Sequence, residues 1–278
     1  MRRIAIRARD GLVLSAVEHP GPEGRTPLLC LSGLTRSAGD FDRIAARHAA
    51  TRRVIALDHA GHGESGRPDD IRRYGIESSL RDVLDAMAAL HAPRAAIIGT
   101  SYGGLLAMVL AVLRPTAIAG AVLNDIGPVM ETEALGDIGG FVGEDPALPS
   151  LEAAAAHLRA RLPPMRLDEA GWRDFAALTY RTGEDGLLHP RWDTRLAQVL
   201  RGNGPPPPLW GPFNALAEGP LMLVRGALSG LLSEATAARM QRERPGMVSV
   251  SVAGSGHCPT LDEAEVVPVL DDFLDAIA

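Results

Sequence analysis

Short apolar runs alternate with segments of helical spacing along most of the chain. Two short strands are predicted between residues 2 and 19, where an Asp10-Gly11 turn separates two runs of alternating or apolar residues. A long helix is predicted from about Ile76 to Leu90, because its apolar residues recur on one helical face. Further buried strands are predicted at 27–31, 54–57, 95–99 and 119–123. Apolar strands that alternate with helices are typical of an α/β fold whose mostly parallel sheet is covered on both faces.

The alternation stops near Gly127. From there to about Pro208 the sequence predicts helical segments and no buried strand; the helices are predicted at 151–161, 169–181 and 191–201. A Gly/Pro-rich stretch at 202–208 then indicates a stiff linker. The remaining predicted elements are strands at 221–224 and 248–252 and helices at 233–244 and 261–277. We therefore predict a core formed by residues 1–127 and 213–278, with a helical insertion, or cap, at 128–212.

Composition excludes several classes of protein. All 28 Lys/Arg positions are arginine, so the chain cannot form a Walker phosphate loop, a pyridoxal-phosphate Schiff base or the ATP site of a protein kinase. A net charge of −6 with scattered arginines disfavours nucleic acid. No apolar stretch is long enough to span a membrane, no secretory leader is recognisable, and Cys30 and Cys258 alone make no disulfide framework. We expect a cytoplasmic protein, with no nucleic-acid or membrane partner and an undetermined oligomeric state.

The strongest candidate for catalytic chemistry is the motif Gly99-Thr100-Ser101-Tyr102-Gly103. It lies between a predicted strand and a predicted helix, which is the context that a nucleophile elbow requires. Glycine at 99 and 103 leaves room for the tight turn, and the helix N-terminus favours developing negative charge. Two alternatives are an ordinary strand–turn–helix with a chance serine, and a dinucleotide-binding turn with Asp125 as the ribose acid. The glycine spacing argues against the second alternative.

A serine nucleophile needs a base and two backbone N–H donors for the oxyanion. His257 follows the last predicted strand within Gly254-Ser255-Gly256-His257, and a base near the C-terminus is the chain order of the α/β-hydrolase fold. Leu31-Ser32-Gly33-Leu34 ends the third strand, and Asp58 to Ser65 forms a D-x-x-G-x-G-x-S turn after the fourth. With these motifs the sequence resembles an α/β-hydrolase with a helical cap over nearly its whole length.

The resemblance implies an eight-stranded, mostly parallel sheet, with Ser101 as nucleophile and His257 as general base. It also implies that the backbone N–H groups of Leu34 and Tyr102 form the oxyanion hole. The family often has His-Gly where this chain has Ser32-Gly33. Because the oxyanion donor is a backbone group, we expect the hole to survive this change.

The acid that orients His257 departs from the commonest family arrangement. That arrangement has an aspartate after the strand at 221–224, where this chain has Gly230. A minority arrangement places the acid one strand earlier, and Asp125 stands there, so we expect Asp125 to orient the base. The alternative is that Asp125 only caps its turn and the protein is a weak or inactive enzyme. Glu234 and Asp262 are less favoured, because acidic residues at helix starts are routine caps.

The other chemically active residues are expected to be structural. Asp58, His59, His62 and Glu64 lack further metal ligands at suitable spacing, and the family turn accounts for them, so no metal is expected. Cys258 is interpreted as a packing or pocket residue. The positions expected to line a mainly apolar substrate pocket are Leu34, Tyr102, Met130, Trp210 and Phe213. Arg36 is expected either to bind a substrate carboxylate or, more simply, to be a surface residue.

The sequence therefore predicts a serine hydrolase that needs no cofactor and acts on a small carboxylic ester or lactone. Its partner would be a small-molecule acyl substrate. A serine nucleophile disfavours dehalogenase and epoxide hydrolase chemistry, which depend on a carboxylate nucleophile. C–C bond, amide or enamide hydrolysis at the same site remains open. A second class of hypothesis is a ligand-binding protein with weakened catalysis, and Gly230 is the feature that supports it.

Overall fold

A computed structural model describes residues 1–202, 206–216 and 219–278. Its centre is an eight-stranded sheet in the order β1-β2-β4-β3-β5-β6-β9-β10, in which only β2 pairs antiparallel, with β1 and β4. The strands of this sheet are β1 Arg2–Arg7, β2 Val13–His19, β3 Leu28–Leu31, β4 Val54–Asp58, β5 Ala95–Thr100, β6 Ile118–Asn124, β9 Leu221–Gly226 and β10 Val248–Val252. The predicted α/β-hydrolase fold with a mostly parallel eight-stranded sheet is confirmed.

Helices cover both faces of this sheet. Along β5, Ile97 belongs to the apolar cluster on one face and Ile98 to the cluster on the other, because successive side chains of a strand point to opposite sides. The helices that flank the sheet are α1 Asp42–His48, α2 Ile76–Ala89, α3 Tyr102–Leu113, α8 Trp210–Ala215, α9 Glu234–Glu243 and α10 Val267–Asp275. In the described part of the chain, no helix is both long enough and apolar enough to cross a membrane.

The register of the parallel strands brings four loops together. Leu31 of β3 pairs with Gly99 of β5, Gly99 with Leu123 of β6, and Leu123 with Leu223 of β9. The carboxyl ends of these strands therefore lie at one edge of the sheet, where ligands bind in folds of this class. The loops that follow them begin at Ser32, Ser101, Asp125 and Ala227.

The segment predicted as the cap contains strands as well as helices. Its elements are α4 Thr132–Val142, α5 Leu151–Arg161, α6 Glu169–Thr179, β7 Tyr180–Thr182, β8 Leu188–Pro190 and α7 Leu196–Gly202. The prediction of no buried strand was wrong, because β7 and β8 form an antiparallel hairpin in which Tyr180 and Leu188 are buried. Strands of three residues are too short for alternation to be recognised. The Asp185-Gly186 turn, with Gly186 at φ +80°, was the available signal.

Other predicted boundaries differ in part from the structure. The last helix begins at Val267 rather than near residue 261, and it has a proline in its first turn, where a missing N–H is tolerated. Helix α8 crosses the predicted boundary at 212/213 and packs against α3 of the core. The predicted linker falls partly on residues 203–205, outside the described residues, while Pro206 to Pro208 are exposed and have no regular structure.

Trp192 joins several parts of the inserted segment to the core. Its ring is buried beside those of Phe141, at a centroid distance of 5.6 Å, and Tyr180, at 6.3 Å. Its indole N–H donates to the carbonyl of Val142 over 2.8 Å. Its backbone also forms an isolated bridge with His62 in the core. One side chain therefore contacts two elements of the segment, and its backbone reaches the loop after β4.

We expect Trp192→Ala to lower the free energy of unfolding by about 3–5 kcal/mol, because it removes a large buried aromatic ring and leaves the Val142 carbonyl without its donor. Urea denaturation followed by circular dichroism measures this change. The control is Val112→Ala at a position that is 54% exposed, where a change within about 0.5 kcal/mol is expected. A loss below about 1 kcal/mol in Trp192→Ala would contradict the anchoring role.

Candidate active site

Ser101 occupies the sharp turn between β5 and α3. Its backbone has φ +51° and ψ −112°, a conformation that is rare and strained for a residue with a side chain. The surrounding glycines explain why the turn is possible. A Cβ at Gly103 would lie 2.0 Å from the carbonyl oxygen of Leu31, and one at Gly99 would lie 2.5 Å from the Cα of Gly104. Only glycine permits the close approach of α3 to β3 and β5 that presents the Ser101 hydroxyl at the sheet edge.

Ser101, His257 and Asp125 form a continuous hydrogen-bonded row. Nε2 of His257 lies 2.9 Å from Oγ of Ser101, and Nδ1 lies 2.7 Å from Oδ2 of Asp125. The side chain of His257 is 13% exposed and that of Asp125 is fully buried. The structure therefore brings together the three residues that the sequence offered as nucleophile, base and acid. The geometry suits transfer of the hydroxyl proton to an imidazole that a carboxylate holds in place.

Asp125 directly follows β6 and is held by the backbone of β9. Its own N–H donates to the carbonyl of Val224 over 2.7 Å, and its Oδ1 accepts from the N–H of Gly226 over 2.8 Å. Its φ of +54° is one that aspartate tolerates better than most residues. Gly230 is exposed. The two less favoured acids point elsewhere: Glu234 is exposed at the start of α9, and Asp262 pairs with arginines of α1.

The backbone N–H groups of Leu34 and Tyr102 are available beside Ser101. A Cβ at Gly33 would lie only 3.5 Å from that of Ser101, so the loop after β3 lies against the turn. Within the described ranges, neither N–H donates a hydrogen bond to another residue. Both are thus free to bind an oxyanion. The Tyr102 hydroxyl donates to Ser79, and burial raises the pKa of that phenol to about 12, so it stays neutral.

The turn after β4 supports the loop that carries Leu34. His59 donates from Nε2 to the carbonyl of Ser32 over 3.1 Å, and Nε2 of His62 lies 2.5 Å from the carbonyl of Leu34. Oδ1 of Asp58 accepts from the N–H of Ala38 over 2.7 Å. The sequence identified these residues as structural but gave no hint of what they hold. Among the described residues, no group of three or more His, Cys, Asp or Glu side chains is arranged to bind a metal.

Comparison with known proteins gives the site its context. A family model for the alpha/beta hydrolase fold matches residues 26–146. A 3-hydroxybutyrate-oligomer hydrolase from Cupriavidus necator is 32% identical over 268 residues, which cover 92% of this chain and 90% of that protein. The chain belongs to the α/β-hydrolase superfamily. Its relatives are named hydrolases, so this protein is an enzyme of the hydrolase class.

Two further proteins resemble this α/β-hydrolase over almost its whole length. An alpha/beta hydrolase from Novosphingobium aromaticivorans, known from a crystal structure, has 35% sequence identity to this chain. The two structures match with a TM-score of 0.93 over 99% of this chain and 98% of that one. A 2-(acetamidomethylene)succinate hydrolase from Mesorhizobium japonicum is 28% identical over 257 residues, which cover 91% of this chain and 90% of that protein. These similarities agree with the observed fold and with a hydrolytic activity. They do not identify the substrate.

The α/β-hydrolase uses Arg36 differently from either role that the sequence offered. The guanidinium binds Asp40 through Nε over 2.7 Å and Nη2 over 2.5 Å, and Nη1 donates to Thr179 at the end of α6. Its Cζ lies 3.7 Å from the centroid of the Phe175 ring. The side chain is only 9% exposed. Arg36 is therefore neither a solvated surface residue nor a cation with an unbalanced charge; it joins the loop after Leu34 to the inserted segment.

The remaining predicted pocket residues belong to the main apolar cluster of the hydrolase or pack against it. Phe213 is fully buried on α8, and Trp210 contacts it edge to face at 5.9 Å. The guanidinium of Arg239 lies 3.6 Å from the centroid of the Trp210 ring. Met130 is half-buried against the same apolar cluster. In the described part of the chain, no hydrogen bond or ring contact joins these residues to Ser101 or His257.

The histidine loop contacts a part of the inserted segment that sequence reasoning missed. The N–H of Gly256 donates to the carbonyl of Pro164 over 2.6 Å, and a Cβ at Gly256 would lie 2.6 Å from that of Pro163. The proline pair between α5 and α6 was the only signal in the sequence. Cys258 lies next to His257, and burial raises the pKa of its thiol far above the usual range. A neutral thiol agrees with the interpretation of Cys258 as a packing residue.

We expect His59 to make the hydrolase sensitive to acid. Burial lowers the pKa of His59 to about 3, whereas an unfolded histidine titrates near about 6.5. Below about pH 6.5 the unfolded chain therefore binds a proton that the folded chain does not, and the free energy of unfolding falls by up to about 1.4 kcal/mol per pH unit. The dependence disappears above about pH 6.5, where the ring is neutral in both states.

The measurement is urea denaturation of the wild-type protein and His59→Gln between pH 4.5 and pH 8. The variant should lose less stability than the wild type on acidification, because glutamine cannot take up the proton. The difference in free energy of unfolding between the two proteins at pH 8 serves as the baseline. At that pH the difference reflects only the hydrogen bond from His59 to Ser32 and the packing of the ring. Parallel curves across the whole range would contradict this account.

Proposed function

We propose that this α/β-hydrolase is a serine hydrolase that cleaves carboxylic esters through an acyl-enzyme, with Ser101, His257 and Asp125 as its triad. The observation that carries the proposal is the row of hydrogen bonds from Oγ of Ser101 through the His257 ring to the buried Asp125 carboxylate. Each atom in this row has the role that acyl transfer requires of it. The free N–H groups of Leu34 and Tyr102 support the same chemistry.

In the proposed reaction, His257 Nε2 takes the proton of Ser101 as Oγ attacks the ester carbonyl. The oxyanion of the tetrahedral intermediate accepts hydrogen bonds from the N–H groups of Leu34 and Tyr102. His257 then returns the proton to the leaving alkoxide, and the C–O bond breaks to release an alcohol and leave an acyl-serine. A water molecule repeats the sequence, with His257 as its base, and frees the carboxylic acid and Ser101. Asp125 keeps its hydrogen bond with His257 Nδ1 and holds the imidazole.

For the substrate we propose a short linear ester of a 3-hydroxy acid. The support is the likeness to the 3-hydroxybutyrate-oligomer hydrolase, 32% identical over nearly the full length of both proteins. In such an oligoester, the leaving group is the hydroxyl of the next unit, so each turnover yields a hydroxy acid and a shortened chain. A lactone of similar size would undergo the same attack, with acid and alcohol remaining in one molecule.

Amide-type cleavage is the second candidate. It is favoured by the 28% identity to a 2-(acetamidomethylene)succinate hydrolase, whose named substrate contains an acetamide. Attack of Ser101 on the acetamide carbonyl would expel nitrogen rather than oxygen, and His257 would have to protonate it. C–C bond hydrolysis has no comparable support among these relatives. A ligand-binding protein without catalysis is the remaining alternative, and the labelling experiment below separates it from an enzyme.

We expect a fluorophosphonate probe to label folded wild-type protein at Ser101, because an activated serine hydroxyl attacks the phosphorus and displaces fluoride. Ser101→Ala should not be labelled. Mass spectrometry of the proteolysed adduct identifies the modified residue. Absence of labelling in folded wild-type protein would contradict the serine hydrolase proposal and favour the ligand-binding alternative.

Asp125→Asn should lower kcat on an activated aryl ester by up to about 10⁴-fold, because an asparagine cannot stabilise the imidazolium or hold the required tautomer. The matched controls are Glu234→Gln and Asp262→Asn, the two other acids near the sheet edge, which should keep nearly full activity. Steady-state kinetics on all four proteins decides the assignment. Full activity in Asp125→Asn would place the acid elsewhere.

On a substrate panel, we expect a higher kcat/KM for a linear 3-hydroxybutyrate dimer or trimer than for an acetamidomethylene dicarboxylate. An ester presents a better leaving group to the same nucleophile. Release of free 3-hydroxybutyrate, followed by chromatography, measures the first activity, and release of acetate measures the second. Faster turnover of the enamide would replace the substrate proposal by the second candidate.

A further inference from the structure

The loop that follows β9 surrounds the carboxylate of Asp125. This is the loop in which the commonest family arrangement would carry the acid itself. The last residue of β9, Gly226, donates its N–H to Oδ1 over 2.8 Å, and the loop contributes the hydroxyl of Ser229, which lies 2.6 Å from Oδ2. Oδ2 is also the oxygen that receives the N–H of His257 over 2.7 Å. Two donors from different parts of the chain therefore meet at one carboxylate oxygen.

The direction of the Ser229 hydrogen follows from the contacts of its oxygen. Oγ of Ser229 accepts from the N–H of Leu231 over 3.3 Å and from that of Leu232 over 3.1 Å. A hydroxyl has two lone pairs and one hydrogen. With both lone pairs facing amide donors, the single hydrogen is left for the third contact, the Asp125 carboxylate. Ser229 is thus a fixed donor to Asp125 and not an acceptor from it.

We propose that Ser229 is a positioning residue for the catalytic row, which holds the Asp125 carboxylate in the plane of the His257 ring and limits the basicity of the oxygen that His257 contacts. The proposal rests on the triad of the proposed function. It assigns to the loop after β9 a role in place of the missing acid: the loop supplies a hydroxyl, beside the Gly226 amide at the end of β9, to the carboxylate that follows β6.

Two consequences follow from a second donor on Oδ2. A hydrogen bond to a carboxylate stabilises its charged form and draws electron density from the oxygen, so less is available to the imidazole. Removal of the hydroxyl should therefore strengthen the attraction between Asp125 and the imidazolium and raise the pH at which His257 loses its proton. Removal also frees the carboxylate to turn, which weakens the orientation of the base.

The effect of Ser229 on the pH profile can be distinguished from that of the other ionisable groups around the His257–Asp125 pair. They are the neutral thiol of Cys258, the mutually paired Arg36 and Asp40, and Glu263, which accepts from the N–H and hydroxyl of Thr260. Arg225 on β9 donates a hydrogen bond from Nε to the carbonyl of Leu232. Among the described residues, none of these groups forms a hydrogen bond with the Ser229 hydroxyl. A shift of the acidic limb on removal of that hydroxyl is therefore attributed to its contact with Asp125.

The test compares Ser229→Ala with Ser229→Thr, which keeps the hydroxyl, and with Ser233→Ala. Ser233 lies on the same loop and caps α9 by accepting from the N–H of Thr236, but it does not contact Asp125. The readouts are kcat and KM on an activated aryl ester, the pH profile of kcat/KM, and thermal unfolding. Asp125→Asn is measured alongside.

In Ser229→Ala we expect kcat to fall about tenfold, the effect of about 1.4 kcal/mol in the barrier, with KM unchanged. The acidic limb of the kcat/KM profile should move upward by about half a pH unit. Ser229→Thr should restore kcat to within about twofold and return the limb to its wild-type position. Ser233→Ala should lower the unfolding temperature without moving the limb.

The outcomes separate the two proposals. If Asp125→Asn keeps its activity, the triad of the proposed function fails. If Asp125→Asn loses activity but Ser229→Ala keeps the wild-type kcat and pH profile, only the role of Ser229 is overturned. A fall in kcat without movement of the acidic limb, or an equal effect in Ser233→Ala, would show a merely structural role for the loop and also overturn the inference.

Discussion

The close contact of helix α3 with strands β3 and β5 is the constraint on which the rest of the site depends. At Gly103 the backbone of the helix lies so near the carbonyl of Leu31 that no side chain fits, and Gly99 meets Gly104 in the same way. This contact forces Ser101 into its strained conformation. It also places the loop after β3, with Gly33, directly beside the serine. The Ser101 hydroxyl and the neighbouring N–H groups of Leu34 and Tyr102 are thus positioned by one packing interaction.

Asp125 is positioned by a second, separate part of the fold. It follows β6, but the groups that hold it belong to β9 and the loop that follows. Gly230 has no carboxyl group, yet the loop that contains it contacts the row of Ser101, His257 and Asp125 through Ser229. The donors around the Asp125 carboxylate therefore come from a different strand and loop than the carboxylate itself.

The sequence predicted the fold, and it pointed to the three residues that the structure brings together, because these signals are local. A glycine pair around a serine, between a strand and a helix, can be recognised without a structure, and so can a histidine after the last strand. The contact of Ser229 with Asp125 could not be recognised, because it depends on how a loop folds across two strands. The hairpin β7–β8 was missed because each strand has only three residues.

The residues that line a substrate pocket stay a prediction, since proximity to a cap junction does not reveal which way a side chain points. Phe213 is fully buried, and the Trp210 ring lies against the guanidinium of Arg239. Arg36 forms an ion pair with Asp40. The contact of Pro163 and Pro164 with the histidine loop joins residues more than ninety positions apart. Such contacts follow from the placement of the inserted segment on the core, which no periodicity encodes.

The hydrogen bond between Asp125 and Gly226 spans 101 positions of the chain, and the inserted segment lies between its ends. Closing a loop of this length costs conformational entropy, and contacts of such long sequence separation slow folding. A chain that has formed its first six strands already contains the Ser101 turn, but the Asp125 carboxylate still lacks its donors from β9 and the loop that follows. The row of Ser101, His257 and Asp125 is therefore complete only when β9 has docked onto β6 and the His257 loop, which follows β10, is also in place.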